Sequence, residues 1–201
     1  MTKADKGKTL PGESIYPQES LMKVGDGNVS LSIGIPKEVS LQENRVSLNP
    51  DSVGLLVANG HQVVVESTAG IKAKFSDREY SEVGARISYD TEEVFKSHIV
   101  LKIEPPTLQE IQYMAPGKTL ISALQIGNQT AEYLQALNDR RITAIAIEQI
   151  EDKVGGLPTV RAMSEIAGST VIPIATEYLS SANDGKGILL GGITGVPPTK
   201  V

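Results

Sequence analysis

With 201 residues, 40% of them hydrophobic and 21% charged, the chain has ordinary globular composition and enough length for one sizeable core plus part of a second domain. It has no cysteine, which excludes disulfides, thiolate metal sites and cysteine nucleophiles, and its two histidines, His61 and His98, stand too far apart to suggest a zinc site. A net charge of -5 without a long Lys/Arg run speaks against nucleic acid, and the lack of a membrane-length apolar run or signal-peptide pattern predicts a cytoplasmic protein with no membrane span.

Residues 1–28 are polar, rich in Lys, Gly, Ser and Pro, and without apolar period, which predicts a mobile arm. Its acids, Asp5, Glu13, Glu19 and Asp26, and its lack of arginine do not fit a transit peptide. A strand follows at Ser30–Ile35, closed by Pro36, and then a polar loop carrying Lys37, Glu38, Glu43 and Arg45. In open α/β sheets ligands collect beyond the carboxyl ends of strands, so this loop is a candidate site and Arg45 its first candidate residue. Asn49-Pro50 supplies an N-cap and a first-turn proline for a helix through Ala58, ended by Gly60. His61 reads as a turn histidine at the entry to strand Gln62–Glu66, because nothing titratable stands beside it.

Ser76-Asp-Arg-Glu79 and Asp90-Thr-Glu-Glu93 both read as capping boxes that open short helices. Ile99–Ile103 is a strand broken by Glu104-Pro105-Pro106, with Val100, Lys102 and Glu104 on one side. Lys102 interrupts this apolar run, and an ammonium there needs a partner or a ligand, unless the strand is an edge from which Lys102 reaches solvent. Thr107-Leu-Gln-Glu110 is another capping box, Gly117-Lys118 a turn, Leu120–Leu124 a strand with Gln125 at its carboxyl end, Gln129–Arg140 a helix and Ile142–Ile147 a further buried strand. Strands alternating with helices over short connections predict an α/β fold, a doubly wound parallel sheet of flavodoxin-like or Rossmann-like kind.

The pattern changes after the Gly/Pro loop at Glu151–Thr159. Residues Val160–Ala182 carry a long helical pattern that Pro173 is expected to kink, and such a helix after a complete sheet reads as an interdomain connector. Ile188–Leu190 reads as a strand start, and Gly191-Gly-Ile-Thr-Gly-Val-Pro-Pro198 as a loop, since a dinucleotide fingerprint must open a helix and two prolines forbid that. Thr199-Lys-Val201 reads as the beginning of a new strand. The expected divisions are therefore an arm at 1–28, a domain at 29–158, and the connecting helix with the start of a further domain at 159–201.

The segments IGIPKE at 33–38, ENRVSLNP at 43–50, GHQVVVES at 60–67, FSDREYSEVGARI at 75–87, MSEIAG at 163–168 and GILLGGITGVPPTKV at 187–201 together resemble the alanine dehydrogenase and pyridine nucleotide transhydrogenase family, in its N-terminal half. The resemblance implies a substrate-side domain that stops just before the NAD-binding domain, with NAD bound mainly by that missing part, a small 2-oxo acid or amino acid as ligand, a homo-oligomeric assembly, and no hydride transfer by this chain alone. The loop GGLPTVRAMSEIAG and the segment after it look like the alanine dehydrogenase branch, since the distinctive Arg-Ala-Gln loop of the transhydrogenase alpha subunit is absent.

By the same resemblance, Arg45 would hold the substrate carboxylate, helped by Lys102, and Met163 and Ser164 would face the nicotinamide. A surface ion pair of Arg45 with Glu43 or Glu38, and plain helix packing for Met163 and Ser164, are the structural alternatives. Two positions depart from the family. The substrate-contacting lysine falls on Glu104, which puts an anion where a carboxylate would bind, and the catalytic histidine falls on Gln125, which does not titrate. Three functions follow: an alanine-dehydrogenase-like NAD-dependent oxidoreductase domain, a transhydrogenase alpha-type domain passing hydride between nicotinamides, or a non-catalytic ligand-binding or regulatory descendant. A phospho-acceptor receiver shares the βα alternation but needs an acidic pair after its first strand, which Pro36-Lys37-Glu38 does not supply.

Overall fold

The computed structural model describes residues 30–195. The arm at 1–28 and the strand expected at Thr199–Val201 lie outside the described residues. Six strands, β1 (Ser32–Ile35), β2 (Gln62–Glu66), β3 (Arg86–Ser88), β4 (Ile99–Leu101), β5 (Thr119–Ser122) and β6 (Thr143–Ala146), form one all-parallel sheet in the order β3-β2-β1-β4-β5-β6. This is the Rossmann order and not the flavodoxin one, and the chain reverses direction of winding between β1 and β4. Loops leaving those two neighbouring strands diverge to opposite faces, which opens a crevice at their carboxyl ends.

Both faces of the sheet are covered. Ile33, Ile35, Val63 and Val65 pack against Val53 of helix α1 (Pro50–Ala58) and Tyr80 of α2 (Asp77–Glu82). On the other face Val100, Leu120 and Leu124 pack with Phe95 of α3 (Thr91–Phe95), Ile111 of α4 (Leu108–Tyr113) and Tyr133 of α5 (Ala131–Asp139). Gly34 lets α3 lie close to β1, since a Cβ there would come within 2.3 Å of the Val94 carbonyl oxygen.

Local signals place most helices. The Asn49 side chain accepts the Ser52 N–H ahead of Pro50, and reciprocal capping boxes form at Ser76/Glu79 and Thr107/Glu110. The box expected at Asp90 forms only in half. Asp90 accepts the Glu92 N–H, but Glu93 turns outward to Ser88 and Arg86 instead of back to the cap.

Three further expectations are corrected, and one strand is added. Strand β3 has no counterpart in the sequence pattern, because three residues are too few to display an alternation; pairing with β2 creates it. Strand β6 is an edge strand with Thr143 and Ile145 exposed, not a fully buried one, because among the described residues it pairs only with β5. Ile188–Leu190 is not assigned as a strand among the described residues. Helix α6 runs over Pro158–Leu179, with Pro173 inside it, rather than over Val160–Ala182. None of its residues is buried, and no helix among the described residues is long and apolar enough to cross a membrane.

The edge-strand reading of Lys102 is overturned as well. β4 lies inside the sheet, and the Lys102 side chain is fully buried, its Nζ 3.0 Å from Glu110 Oε1 and 3.3 Å from Glu38 Oε2. Glu110 thereby does two jobs, since its other oxygen accepts the Thr107 N–H at 2.7 Å and caps α4. Removing the ammonium would strand two buried carboxylates, so Lys102→Met is expected to cost about 3–5 kcal/mol in urea-induced unfolding. Arg78→Ala, which removes only the exposed pair with Glu82, should leave the unfolding midpoint essentially unchanged.

Candidate functional site

The loop after β1 is built around inward-turned acids. Pro36 ends the strand, the Lys37 N–H donates to Glu66 Oε2 at 2.8 Å, and Glu38 folds back under the sheet, where its Oε1 accepts the Ile103 N–H at 2.6 Å. Burial outweighs the nearby Lys102 and these hydrogen bonds and pushes the Glu38 carboxyl above the ordinary value of 4.5. Further along, Lys72 Nζ donates to the carbonyl oxygens of Ser40 and Glu43 at 2.8 and 3.1 Å, which ties down the outer part of the loop.

Arg45 stands where this loop meets α6. Its Nε donates to Glu43 Oε1 at 2.8 Å and its Nη2 to Glu43 Oε2 at 2.6 Å, a bidentate fork, while the Arg45 N–H also donates to Glu43 Oε1. Glu43 is 7% exposed and Arg45 55% exposed, so the buried carboxylate grips one edge of the guanidinium and leaves the other accessible. Nη1, on that accessible side, points at Met163 Sδ of α6 at 3.2 Å. The arginine fork holds the Glu43 carboxyl below its ordinary range and in turn raises Arg45.

A cleft of about 590 Å³ opens beside this pair. Its walls come from the carboxyl end of the sheet: Arg45 after β1, Ile103 after β4, Ala123 after β5, Ile147 and Glu148 after β6, with Met163 and Ser164 of α6 closing the far side. The lining is mostly apolar, with Arg45 and Glu148 as its charged groups. A pocket of this kind suits a small ligand held by a few polar groups among apolar walls.

The structure thus brings Arg45, Met163 and Ser164 into one cleft and places the other candidates around it. Lys102 lies beneath the walls and is committed to Glu38 and Glu110. Glu104 is half-buried next to Ile103, near enough for its charge to act on Arg45 without touching it. Gln125 is exposed in a left-handed conformation, φ 47° and ψ 49°, and its amide oxygen is 3.5 Å from Asn128 Nδ2. The two histidines are remote: His98 Nδ1 contacts the Ser32 N–H and hydroxyl, and His61 Nδ1 faces the Leu31 N–H, all at the amino ends of strands.

Glu148 has no counterpart in the sequence expectations. Its two oxygens accept the Gln125 N–H at 2.7 Å and the Leu124 N–H at 3.2 Å, which holds the β5 turn in its strained shape while presenting a carboxylate to the cleft. The available signal was an acid directly after the apolar run Ile142–Ile147, at a strand's carboxyl end.

The family described as "Alanine dehydrogenase/PNT, N-terminal domain" matches residues 34–167, which span the sheet, the Arg45 loop and the first half of α6. The chain belongs to this family. It is 40% identical over 171 residues to alanine dehydrogenase 2 of Staphylococcus aureus (strain USA300) and 39% identical over 171 residues to an alanine dehydrogenase of Staphylococcus haemolyticus, covering 85% of this chain and 46% of each relative. Among solved structures it is similar to an L-alanine dehydrogenase at a TM-score of 0.78 and 36% identity, over 84% of this chain and 46% of that one. It is also similar to a transhydrogenase from Sinorhizobium meliloti at a TM-score of 0.55 and 31% identity, over 59% of this chain and 35% of that one. The chain spans about half the length of the curated relatives it matches.

The Glu43–Arg45 fork has a readable pH signature. Because the folded state lowers the Glu43 pKa, its contribution to stability is complete above the ordinary value of 4.5 and is lost as pH falls through the lower folded value. Melting temperatures measured between about pH 3 and pH 6 are expected to fall less steeply on the acid side for Glu43→Gln than for the native chain.

Proposed function

We propose that this chain is the substrate-side domain of an alanine-dehydrogenase-like, NAD-dependent oxidoreductase, which interconverts a small amino acid and its 2-oxo acid. The observation that carries the reading is Arg45, held by Glu43 along one edge with its accessible edge turned toward an apolar cleft at the switch point of the sheet. A planar guanidinium fixed in this way binds a carboxylate through two parallel hydrogen bonds and sets its orientation. Family membership and the likeness to alanine dehydrogenases support the same reading.

Each further residue has a role in this proposal. Glu43 pre-orients Arg45, so less side-chain freedom is lost when the ligand binds. Lys102 acts on the site through Glu38 and the loop, not by touching the ligand. Ile103 and Ala123 keep the ligand's small side chain dry. Gln125 carries an amide, which hydrogen-bonds but does not titrate, so the proposal gives it a polar contact and no proton transfer. NAD, when bound, supplies the hydride acceptor, and Met163 and Ser164 offer the edge of a nicotinamide ring a soft apolar surface and a hydroxyl. α6 is then the connector toward the part of the protein that carries most of the NAD site, and its exposed apolar side chains, such as Ile166 and Ile172, are surface for that part or for another subunit.

The test is L-alanine-dependent reduction of NAD by this chain joined to a nicotinamide-binding domain. Arg45→Ala is expected to lower kcat/KM by at least about a hundredfold, mostly through KM, because a charge-assisted bidentate contact is lost. Arg45→Lys should recover only part of that loss. Hydride exchange between two nicotinamides, without any dependence on L-alanine, would instead identify a transhydrogenase-type domain.

A further inference from the structure

The two ends of the Arg45 guanidinium are held very differently. Glu43 grips Nε and Nη2 at 2.8 and 2.6 Å, whereas Nη1 donates to the sulfur of Met163, on α6, at 3.2 Å. A thioether is a weak acceptor, so this second contact yields readily to a carboxylate arriving from the cleft. The same sulfur is open to reagents. Met163 is 41% exposed and lines the cleft, while Met114, the other methionine among the described residues, is fully buried in the core with Ile111 and Leu120. Oxidation of methionine follows exposure, and it turns a soft apolar side chain into a polar one.

We propose that Met163 is an oxidation site whose sulfoxide latches onto Arg45 and closes the cleft to carboxylates. The effect on carboxylates rests on the substrate reading above; the site and its hold on Arg45 do not. The co-reactant is a peroxide. A lone pair of Met163 Sδ attacks one oxygen of hydrogen peroxide, and the O–O bond breaks as the S–O bond forms. The departing hydroxide takes the proton from the transferred oxygen and leaves as water, so the sulfur is oxidised, and the peroxide reduced, by one electron pair. The unbranched Met163 side chain then turns without moving α6 and brings its new oxygen to the Nη1 N–H that the sulfur already faces. A weak contact becomes a charge-assisted hydrogen bond on the edge that Glu43 leaves accessible. It also fastens the Arg45 loop to a helix none of whose residues is buried. A carboxylate must now displace a strong acceptor from Arg45. Because Arg45 is more than half exposed, solvent moderates the difference, and affinity for carboxylates is expected to fall about tenfold.

Graded hydrogen peroxide treatment of the 201-residue chain tests this. Peptide mass spectrometry is expected to find one added oxygen on Met163 at doses that leave Met114 intact. Nitrogen-detected NMR of the Arg45 guanidinium should show its Nη1 hydrogens exchanging more slowly after oxidation, and a methionine sulfoxide reductase should reverse the change. Titration with L-alanine and with pyruvate should show both bound about tenfold more weakly by the oxidised chain. Met163→Leu keeps the other methionines and cannot form the latch, so peroxide should leave its affinities, whatever their starting values, where they were. Oxidation of Met114 before Met163 overturns the site. Oxidised Met163 with unchanged Arg45 exchange overturns the latch, as does an equal loss of affinity in peroxide-treated Met163→Leu. If the untreated chain binds neither ligand, the substrate reading fails and the effect on carboxylates with it, while the mass and exchange measurements still decide the site and its hold on Arg45.

Discussion

Much of the site depends on one buried ammonium. Lys102 leaves a central strand, yet its Nζ reaches Glu110 on the helix that follows and Glu38 on the loop that leaves the neighbouring strand. A buried charge is tolerated only when it is paired, and here each partner is tied to a backbone amide as well, Glu38 to Ile103 and Glu110 to Thr107. The network therefore fixes three pieces of chain at once: the start of the Arg45 loop, the end of β4 and the first turn of α4. The ion pair need not contribute net stability to do this. Its effect is to exclude other loop conformations, since any of them would leave an unpaired charge in the interior.

From that anchored loop the site is assembled by acids that organise polar groups. Glu43 aims Arg45, and Glu148 clamps the turn in which Gln125 sits. Both act at the carboxyl end of a parallel sheet, where backbone N–H groups and side chains from successive loops converge. The apolar walls between them give the few charges present a drier setting, which strengthens their interactions. α6 completes the cleft from outside. Its contact with the sheet is slight, and the Arg45–Met163 approach is a direct link between the anchored loop and this helix.

The two departures from the family pattern acquire meaning in this setting. Gln125, expected from the resemblance to stand at the family's histidine position, sits in a turn that Glu148 holds. Glu104, expected from the resemblance to stand at a substrate-contacting lysine position, is half-buried next to Ile103.

The alternation of strands and helices, the caps at Asn49, Ser76 and Thr107, the position of Arg45 beyond the first strand and the family itself were all legible in the residues, because each rests on patterns local in sequence or on motifs that survive as words. Glu93 shows the limit of local signals: its spacing fits a capping box, but Arg86 and Ser88 on β3 compete for it and win. What only the tertiary structure decided are the partners across the sheet. β3 exists because β2 lies beside it, Lys102 is an interior cation and not an edge residue because β4 is flanked by β1 and β5, and Glu148 meets Gln125 because β6 pairs with β5. Those contacts join residues far apart along the chain, and their energies depend on burial and distance, which no spacing in the sequence encodes.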